Sequence, residues 1–400
     1  MKLLLNEDNV KNNLLIVLFL IYSLLPGFSK LFNIRELFVL NVFVIPFILF
    51  LISKRKIQFK YYDSLGLVLI AYFIVNQIFV LLFYKPLISN YIIGLYSYGF
   101  PFFGFFLSRY LKADNFIKIV YYIVVVHVIL GFIFYNLFPF HLYLPYNLSK
   151  ISDGVMFGRM ASVSGSLGFS ALMIFGVNIV LLGKNQKGNF IFNILIVIGL
   201  ILSLQRSAWL SLVLSSFIYL FKYNVVINKR KLSVLILVSL ILFVLLTYIE
   251  NLDFIFSRFT DFGYTAVTER SSLWLNGIDN FLNYPLGIGF GQVGQVANEQ
   301  IKEGLLPVLD GDFLRIIAEF GLFGIIQLIF FVLILIKYLN YNFRDNNILV
   351  LFLIFVSLLI QMIGSNTTEF YFVNFLFWIV FGYLVNFKIC KDDKLYNCNI

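Results

Sequence analysis

Long apolar runs alternate with short polar segments along nearly the whole chain. Many approach the ~20 residues that an α-helix needs to span a bilayer. They lie at about 14–25, 37–52, 65–83, 91–107, 117–138, 167–182, 190–204, 207–221, 232–249, 313–336, 348–364 and 370–387. The pattern predicts an all-α polytopic integral membrane protein with about 12 transmembrane helices.

One long polar segment, residues 250–312, interrupts this pattern. It divides the chain into predicted transmembrane helices 1–9 (1–249), a long extracytoplasmic loop (250–312), helices 10–12 (313–387) and a cytoplasmic tail (388–400). Inside the loop, apolar positions recur on one side of a predicted helix that would lie on the membrane surface. These positions are Leu273, Trp274, Leu275, Ile278, Phe281 and Leu282.

Composition supports the membrane assignment, because 61% of the residues are hydrophobic and only 12% are charged. Soluble domains carry about 25% charged residues. The net charge of +10 does not indicate nucleic-acid binding, since the basic residues lie in short loops between apolar runs. The two cysteines, Cys390 and Cys398, fall in the tail and predict neither a disulfide framework nor a metal site.

The distribution of lysine and arginine predicts the topology. With both termini in the cytoplasm, the cytoplasmic side holds 20 of the 30 basic residues. Basic residues are enriched in cytoplasmic loops of membrane proteins, so this orientation is favoured. The polar segments at about 139–166 and 250–312 are therefore predicted to face outward.

Arg206 stands between two apolar runs that together are too long for one transmembrane helix. The 32 residues from 190 to 221 would measure about 48 Å as a single helix, against a bilayer core of about 30 Å. Gln205-Arg206 therefore predicts a hairpin turn between two short helices. An arginine at membrane depth is costly unless it faces a wet cavity or an anion, which makes Arg206 a candidate functional residue.

Three further outward-facing features have both a structural and a functional interpretation. Arg159 either reaches lipid headgroups or binds an anion. Arg270 either caps the loop helix or binds phosphate as a bidentate donor. The glycine turn, Pro285 to Gly291, contains Gly287, Gly289 and Gly291. It allows either a tight backbone turn or a close approach to a ligand.

Carboxylates cluster where the helix after the long loop is predicted to begin. Asp310 and Asp312 lie at its start. Arg315 and Glu319 follow at spacings of three and four residues, which predict an ion-paired helix face that points into the bundle. An aspartate here could cap the helix, an explanation that fits one carboxylate better than two. The alternative is an acid–base site beside an anion clamp. The two histidines, His127 and His141, show no metal-ligand spacing.

Three segments together resemble the O-antigen ligase and polymerase family of bacterial envelope proteins. They are Ser203 to Leu210 around Arg206, Arg270-x3-Trp274 with the glycine turn, and Asp310-Gly311-Asp312 with Ala318 to Gly324. Arg159 with Ser164-Gly165 adds a fourth, weaker similarity. The resemblance covers about residues 155–330. Asp310 stands where the ligases place a histidine, and this missing histidine favours the polymerase branch. A second departure from the family pattern is Gly311, which stands where the family often has asparagine.

The resemblance implies a GT-C-like membrane glycosyltransferase that needs no metal, nucleotide sugar or other cofactor. It would polymerise undecaprenyl-pyrophosphate-linked oligosaccharide repeat units into O-antigen or a related surface polysaccharide, at the outer face of the bacterial cytoplasmic membrane. Arg206 and Arg270, with Arg159, would hold the pyrophosphate. Asp310, or in second place Asp312, would act on the acceptor hydroxyl, supported by Arg315, Glu319 and the glycine turn.

Two alternatives stay open from the sequence. A lipid-linked oligosaccharide flippase would also have about twelve spans, but such transporters typically show internal repeats, and none is evident here. Alternatively, the family assignment holds and the product differs, as in a ligase or a capsular or exopolysaccharide polymerase. The expected partners are the lipid-linked oligosaccharide and membrane lipids, with a chain-length regulator and a flippase as candidate protein partners, and no nucleic acid.

Overall fold

The computed structural model describes residues 14–25, 27–28, 61–136, 150–152, 155–157, 160–181, 190–222, 264–294, 297, 305–306, 311–341, 343 and 345–392. The predicted helices at 37–52 and 232–249 lie outside these residues, as do Arg159 and Asp310. The side chain of Arg270 also lies outside the described part, although its backbone belongs to a helix.

The described chain is almost entirely helical. In order, its α-helices are α1 (Leu14–Leu25), α2 (Tyr61–Phe83), α3 (Ile88–Gly94), α4 (Phe103–Leu107), α5 (Ala113–Asn136), α6 (Gly165–Leu181), α7 (Phe190–Leu202), α8 (Arg206–Lys222), α9 (Tyr264–Asn283), α10 (Asp312–Phe320), α11 (Leu322–Leu339), α12 (Asn346–Gly364) and α13 (Tyr371–Asp392). A π-helix (Leu95–Gly99) and a 3-10 helix (Phe100–Phe102) join α3 to α4, and a 3-10 helix (Thr367–Glu369) precedes α13.

Within the described residues, three helices are long and apolar enough to cross a membrane: Ala113–Tyr135, Leu322–Leu339 and Asn346–Gly364. Shorter apolar helices accompany them at Leu14–Leu25, Ala71–Phe83, Gly165–Leu181, Phe190–Leu202 and Tyr371–Asn386. The helical, multi-pass membrane architecture predicted from the sequence is confirmed. The count of about twelve spans and the GT-C-like arrangement stay predictions.

A short β-hairpin accompanies the predicted helices. Strands β1 (Lys150–Ser152) and β2 (Val155–Phe157) pair antiparallel, with Lys150 opposite Phe157 and Ser152 opposite Val155. The hairpin lies within the polar segment at 139–166, so it leaves the helical membrane part of the prediction unchanged.

The predicted continuous helix at 313–336 is broken at Gly321, which was not expected. Gly321 has a φ of 59°, a left-handed conformation that favours glycine, and it separates α10 from α11. The last carbonyls of α10 accept hydrogen bonds from the backbone N–H groups of Ile288 and Gly289, in the glycine turn. The break therefore has a tertiary cause, and the apolar pattern alone could not reveal it.

The predicted helix at 91–107 also differs from a regular α-helix. Its backbone passes through the π-helix and the 3-10 helix before α4. Pro101 lacks a backbone N–H and so cannot take part in the regular α-helical hydrogen bonding. The Ser97 carbonyl instead accepts a hydrogen bond from Asn374 Nδ2 at 2.8 Å. Single π-helical turns are frequent at functional sites.

The segments between helices segregate at two ends of the bundle. At one end, the Met160 N–H donates to the Leu202 carbonyl, and the Ser207 and Ser365 hydroxyls lie 3.4 Å apart. At the other end, the Tyr383 hydroxyl donates to the Leu111 carbonyl. The first group contains only segments that the sequence predicts to face outward, and the second only segments predicted to face the cytoplasm. The described contacts thus agree with the predicted alternation of loops.

The centre of the bundle is built around α12, α13, α5 and α6, which contribute many fully buried apolar side chains. Buried polar pairs join α6 to α12: Asn178 Nδ2 donates to Ser357 Oγ at 3.0 Å, and Gln361 Nε2 donates to Ser170 Oγ at 2.9 Å. Hydrogen bonds between helices contribute to packing where lipid supplies no hydrophobic driving force. These contacts make α12 a fixed base for the site at its C-terminal end.

Candidate active site

The hairpin predicted at Arg206 is present. Helix α7 ends at Leu202, α8 begins at Arg206, and Leu204 between them has a φ of 52°. A non-glycine residue in this conformation is uncommon and marks a tight turn. Arg206 itself is half-buried at the first position of α8. Its neighbour Ser207 faces the end of α12 through Ser365.

The start of α10 meets the same end of α12. Gly311 has a φ of 102°, and a Cβ added there would lie 3.0 Å from the Ile363 carbonyl oxygen and 3.6 Å from Trp274 Nε1. Trp274 belongs to α9, one turn after Arg270. The hairpin and the start of α10 therefore both lie against residues 363–365 of the chain, and α9 packs beside the start of α10.

Asp312 lies at the centre of a buried hydrogen-bond network. Its Oδ1 accepts from Arg315 Nε at 3.1 Å, from Arg315 Nη2 at 2.7 Å and from the Thr368 hydroxyl at 2.8 Å. Its Oδ2 accepts from the Thr368 backbone N–H at 2.8 Å and from the Thr367 hydroxyl at 3.1 Å. The Asp312 side chain is fully buried. An ionised carboxylate has about four lone-pair positions, so these five bonds occupy its acceptor capacity.

Arg315 joins this carboxylate to a second one. Its Nη1 donates to Glu319 Oε2 at 2.8 Å, and its Nη2 also donates to the Thr368 hydroxyl at 2.8 Å. The guanidinium carbon lies 3.8 Å from the centre of the Tyr98 ring, a cation–π geometry. Tyr98 belongs to the π-helix, so the irregular turn carries a residue of this network. The ion-paired face predicted for Arg315 and Glu319 is confirmed in its geometry.

Three residues of the network were missed by the sequence analysis: Tyr98, Thr367 and Thr368. Thr367 and Thr368 are separated from Asp312 by more than 50 residues, which explains why local spacing did not indicate them. A usable signal does exist. Residues 365–369 form a short polar run, Ser-Asn-Thr-Thr-Glu, between two apolar helices on the predicted outer side.

The glycine turn packs against the break between α10 and α11. The backbone N–H of Ile288 donates to the Ala318 carbonyl at 3.1 Å, that of Gly289 donates to the Glu319 carbonyl at 3.0 Å, and that of Leu322 donates to the Pro285 carbonyl at 2.9 Å. The last carbonyls of a helix have no partner within it. The turn therefore supplies hydrogen-bond donors to the carbonyls of Ala318 and Glu319 at the buried end of α10.

Three glycines of the turn are required by space as well as by conformation. Gly287, Gly289 and Gly291 all have positive φ values, of 87°, 96° and 65°. A Cβ on Gly287 would lie 2.4 Å from the Glu319 carbonyl oxygen, and one on Gly291 would lie 2.4 Å from the Asn90 carbonyl oxygen. The sequence left open whether the turn serves a tight bend or a close approach to a ligand. In the structure, the turn closely approaches other parts of this chain.

A small cavity adjoins the network. It measures about 50 Å³ and is lined by Arg315, Thr368 and Asn374 together with aromatic side chains such as Phe377 and Trp378. Ligand pockets usually measure about 300–1,000 Å³. The cavity is therefore too small for a sugar.

The fold and the site together describe a multi-pass membrane protein with a polar centre at one end of its helix bundle. Residues 191–329 match the family model described as O-Antigen ligase. The matched region contains Arg206, Arg270, the glycine turn and the Asp310–Glu319 segment. The match agrees with the resemblance indicated by the three motifs: residues 191–329 are similar to proteins of the O-antigen ligase family. A search of curated proteins finds no match.

Proposed function

We propose that this protein polymerises lipid-linked oligosaccharide repeat units into O-antigen or a related surface polysaccharide. One observation carries the proposal: the Arg206 hairpin and the start of α10 contact the same end of α12, at residues 363–365. This arrangement brings a half-buried arginine and a carboxylate-bearing helix start to one end of the bundle. The family match over residues 191–329 supports a glycosyl-transferring enzyme of surface polysaccharide synthesis.

The proposed reaction forms one glycosidic bond and breaks one bond to phosphate. The acceptor hydroxyl at the non-reducing end of one repeat unit attacks the anomeric carbon of the chain held on a second carrier. The bond from that carbon to the pyrophosphate oxygen breaks, and undecaprenyl pyrophosphate leaves with the bonding electrons. The hydroxyl proton passes to a carboxylate. Positioned positive charge stabilises the departing anion, and a positioned base accelerates proton removal.

Arg206 is proposed to bind the pyrophosphate, together with Arg270 and Arg159. Guanidinium groups suit this task because they bind phosphate oxygens through two parallel hydrogen bonds. The position of Arg206 at the start of α8 adds the partial positive charge of a helix N-terminus. Position 270 lies one turn before Trp274, which faces the start of α10. These placements support a clamp that draws on several segments of the chain.

Asp310 is proposed as the catalytic base in preference to Asp312. The Asp312 carboxylate is fully buried and already accepts five hydrogen bonds, so it has little capacity left for a substrate hydroxyl. Asp310 precedes it by two residues, across Gly311. Asp310 also stands where the ligases of the family place a histidine, which supports the polymerase branch. Asp312, Arg315 and Glu319 then have supporting roles.

The proposed setting is the outer face of the bacterial cytoplasmic membrane, with both termini in the cytoplasm. The substrate would be an oligosaccharide on undecaprenyl pyrophosphate. A flippase would deliver it, and a chain-length regulator would limit the product. Neither a metal nor another cofactor enters this proposal. The lipid carrier fits a protein whose polar centre lies at one end of an apolar helix bundle.

The test is complementation of a deletion strain, with surface polysaccharide separated by size. Wild-type protein should restore long polymer. Arg206→Ala at equal protein level should leave single repeat units, and Arg206→Lys should restore part of the polymer. Lys337→Ala, in the last turn of α11 at the opposite end, serves as the control and should match wild type. Full-length polymer from the Arg206→Ala strain would refute the assignment of Arg206.

The same strain separates polymerisation from transport. If the protein polymerises, the deletion strain should accumulate lipid-linked repeat units on the outer leaflet, where an added membrane-impermeant glycosidase can cleave them. If the protein is a flippase, the units should stay on the inner leaflet and resist the enzyme. Protection from the glycosidase would therefore contradict the proposed function.

A further inference from the structure

The segment before α13 holds the start of α10 through two threonines. Thr368 contributes three contacts: its N–H and hydroxyl donate to the two Asp312 oxygens, and its hydroxyl accepts from Arg315. Thr367 contributes one further hydrogen bond to Asp312. Both threonines are buried, so water does not compete for these bonds. One short segment thus fixes the first residue of a helix more than 50 positions away in the sequence.

This attachment is placed where it controls the backbone next to the proposed base. Asp312 is the first residue of α10, and Gly311 before it has a left-handed backbone conformation against α12. The Arg315 N–H closes the first turn by donating to the Gly311 carbonyl at 3.2 Å. The network therefore fixes the point from which the chain continues to Asp310.

The opposite side of the network is tied to the outer loop. The Glu319 carboxylate accepts a hydrogen bond from Arg315. The backbone carbonyl of Glu319 accepts one from the N–H of Gly289 in the glycine turn. Arg315 thus connects the threonine segment to the glycine turn, and the Tyr98 ring covers its guanidinium. The charges of Asp312, Arg315 and Glu319 are thus paired with one another.

We propose that Thr368, assisted by Thr367, is a positioning residue that holds the start of α10 in place for glycosyl transfer. This inference rests on the proposed function, because the step it supports is proton removal from the acceptor hydroxyl. Thr368 acts through Asp312 and Arg315. Small displacements of a catalytic group can cost about 100-fold in rate. Loss of the attachment should therefore lower the rate of the chemical step more than it lowers substrate binding.

The test compares three variants of the full-length protein in lipid nanodiscs. The substrate is undecaprenyl-pyrophosphate-linked repeat units extracted from the deletion strain. Thr368→Val removes the hydroxyl at nearly constant shape, Thr368→Ser retains it, and Thr367→Val removes only the single bond to Asp312. Ser211→Ala is the control, because the buried Ser211 hydroxyl donates only to the Ala208 carbonyl of its own helix.

Per folded molecule, kcat of Thr368→Val should fall at least tenfold while KM stays within about twofold. Thr368→Ser should recover most of kcat, Thr367→Val should give a smaller loss, and Ser211→Ala should match wild type. Amide hydrogen exchange of residues 312–315 should accelerate in Thr368→Val and not in Ser211→Ala. Thr367→Val keeps the test decisive if Thr368→Val folds poorly.

Two results would overturn the positioning role. One is unchanged exchange at residues 312–315 in Thr368→Val, since the attachment would then not hold the helix start. The other is faster exchange with wild-type kcat, since the attachment would then be structural only. Failure of the proposed function looks different: the wild-type protein itself would not elongate the repeat units, while the exchange data would still decide whether the threonines hold α10.

Discussion

The backbone N–H of Gly289 donates a hydrogen bond to the carbonyl oxygen of Glu319 at 3.0 Å. This contact joins the glycine turn to the last turn of α10, whose side chains form the buried ion-pair network. The conformation of the loop and the position of the charged residues are thus coupled through one helix end. A substitution that displaces the turn should therefore also displace the ion-pair network, and a substitution in the network should displace the turn.

Gly287→Ala should destabilise the protein strongly. Alanine would have to adopt a φ of 87°, and its Cβ would lie 2.4 Å from the Glu319 carbonyl oxygen and 2.7 Å from the Gly321 nitrogen. A left-handed conformation alone costs a non-glycine residue about 1–2 kcal/mol. The clash with fixed backbone atoms adds to this. We expect a Tm lowered by several degrees and a smaller folded fraction by size-exclusion chromatography.

Gly364→Ala is the matched control for this prediction. Gly364 ends α12, and a Cβ there would meet only the Ser207 Cβ, at an ordinary 3.5 Å. Its Tm should stay close to that of wild type. If Gly287→Ala were as stable as Gly364→Ala, the glycine turn would not be docked into the helix break as described.

Arg315→Met should be among the most damaging single substitutions in this protein. Asp312, Arg315 and Glu319 are all fully buried, and Arg315 pairs with both carboxylates. Removing one partner of a buried ion pair costs about 3–5 kcal/mol, because a buried charge is left uncompensated. Here two carboxylates lose their partner. Thermal unfolding and the yield of monodisperse protein should both show the loss.

Removing the charges together should reverse part of this loss. The triple variant Asp312→Asn, Arg315→Met, Glu319→Gln carries no buried charge and should unfold at a higher temperature than Arg315→Met alone. Lys337→Met is the control, because Lys337 is an exposed cation near the end of α11. Equal Tm values for Arg315→Met and the triple variant would show that the cost of Arg315→Met does not come from unpaired charge.

The sequence could predict those features that depend only on residues close to one another along the chain. The Arg206 hairpin is one, because Gln205-Arg206 interrupts 32 residues that are too long for a single span. The ion pairs of Arg315 with Asp312 and Glu319 are another, because positions three and four apart share a helix face. That the polar segments face outward stays a prediction from the alternation of loops.

Features that depend on distant contacts could not be predicted in the same way. Gly321 lies in a continuous apolar run, and its break is stabilised by a turn more than 30 residues earlier in the chain. The π-helix brings Tyr98 over Arg315, although nothing in its own sequence indicates an arginine partner. Thr368 reaches Asp312 only once α12 and α13 are packed. Each of these needs the tertiary structure.

The two neighbouring aspartates should respond differently to the same substitution. Asp310→Asn should lower kcat by about 100-fold to 10,000-fold, the range expected for loss of a general base. Its Tm should change little. Asp312→Asn should lower Tm, because an amide nitrogen cannot accept the hydrogen bonds that Arg315, Thr367 and Thr368 donate. Comparing the two variants therefore separates the chemical role proposed for Asp310 from the positioning role proposed for Asp312.

The measurement combines thermal unfolding with elongation kinetics on the same purified variants. Asp310→Glu is the control for chemistry, since it keeps the carboxylate and should retain part of kcat. The kinetic loss in Asp312→Asn should be explained by displacement of the helix start, so it should be accompanied by faster amide exchange at residues 312–315. A normal Tm with a large loss of kcat in Asp312→Asn would instead transfer the base role to Asp312. The five hydrogen bonds to its carboxylate argue for the opposite result, because they occupy the lone-pair positions that a substrate hydroxyl would need.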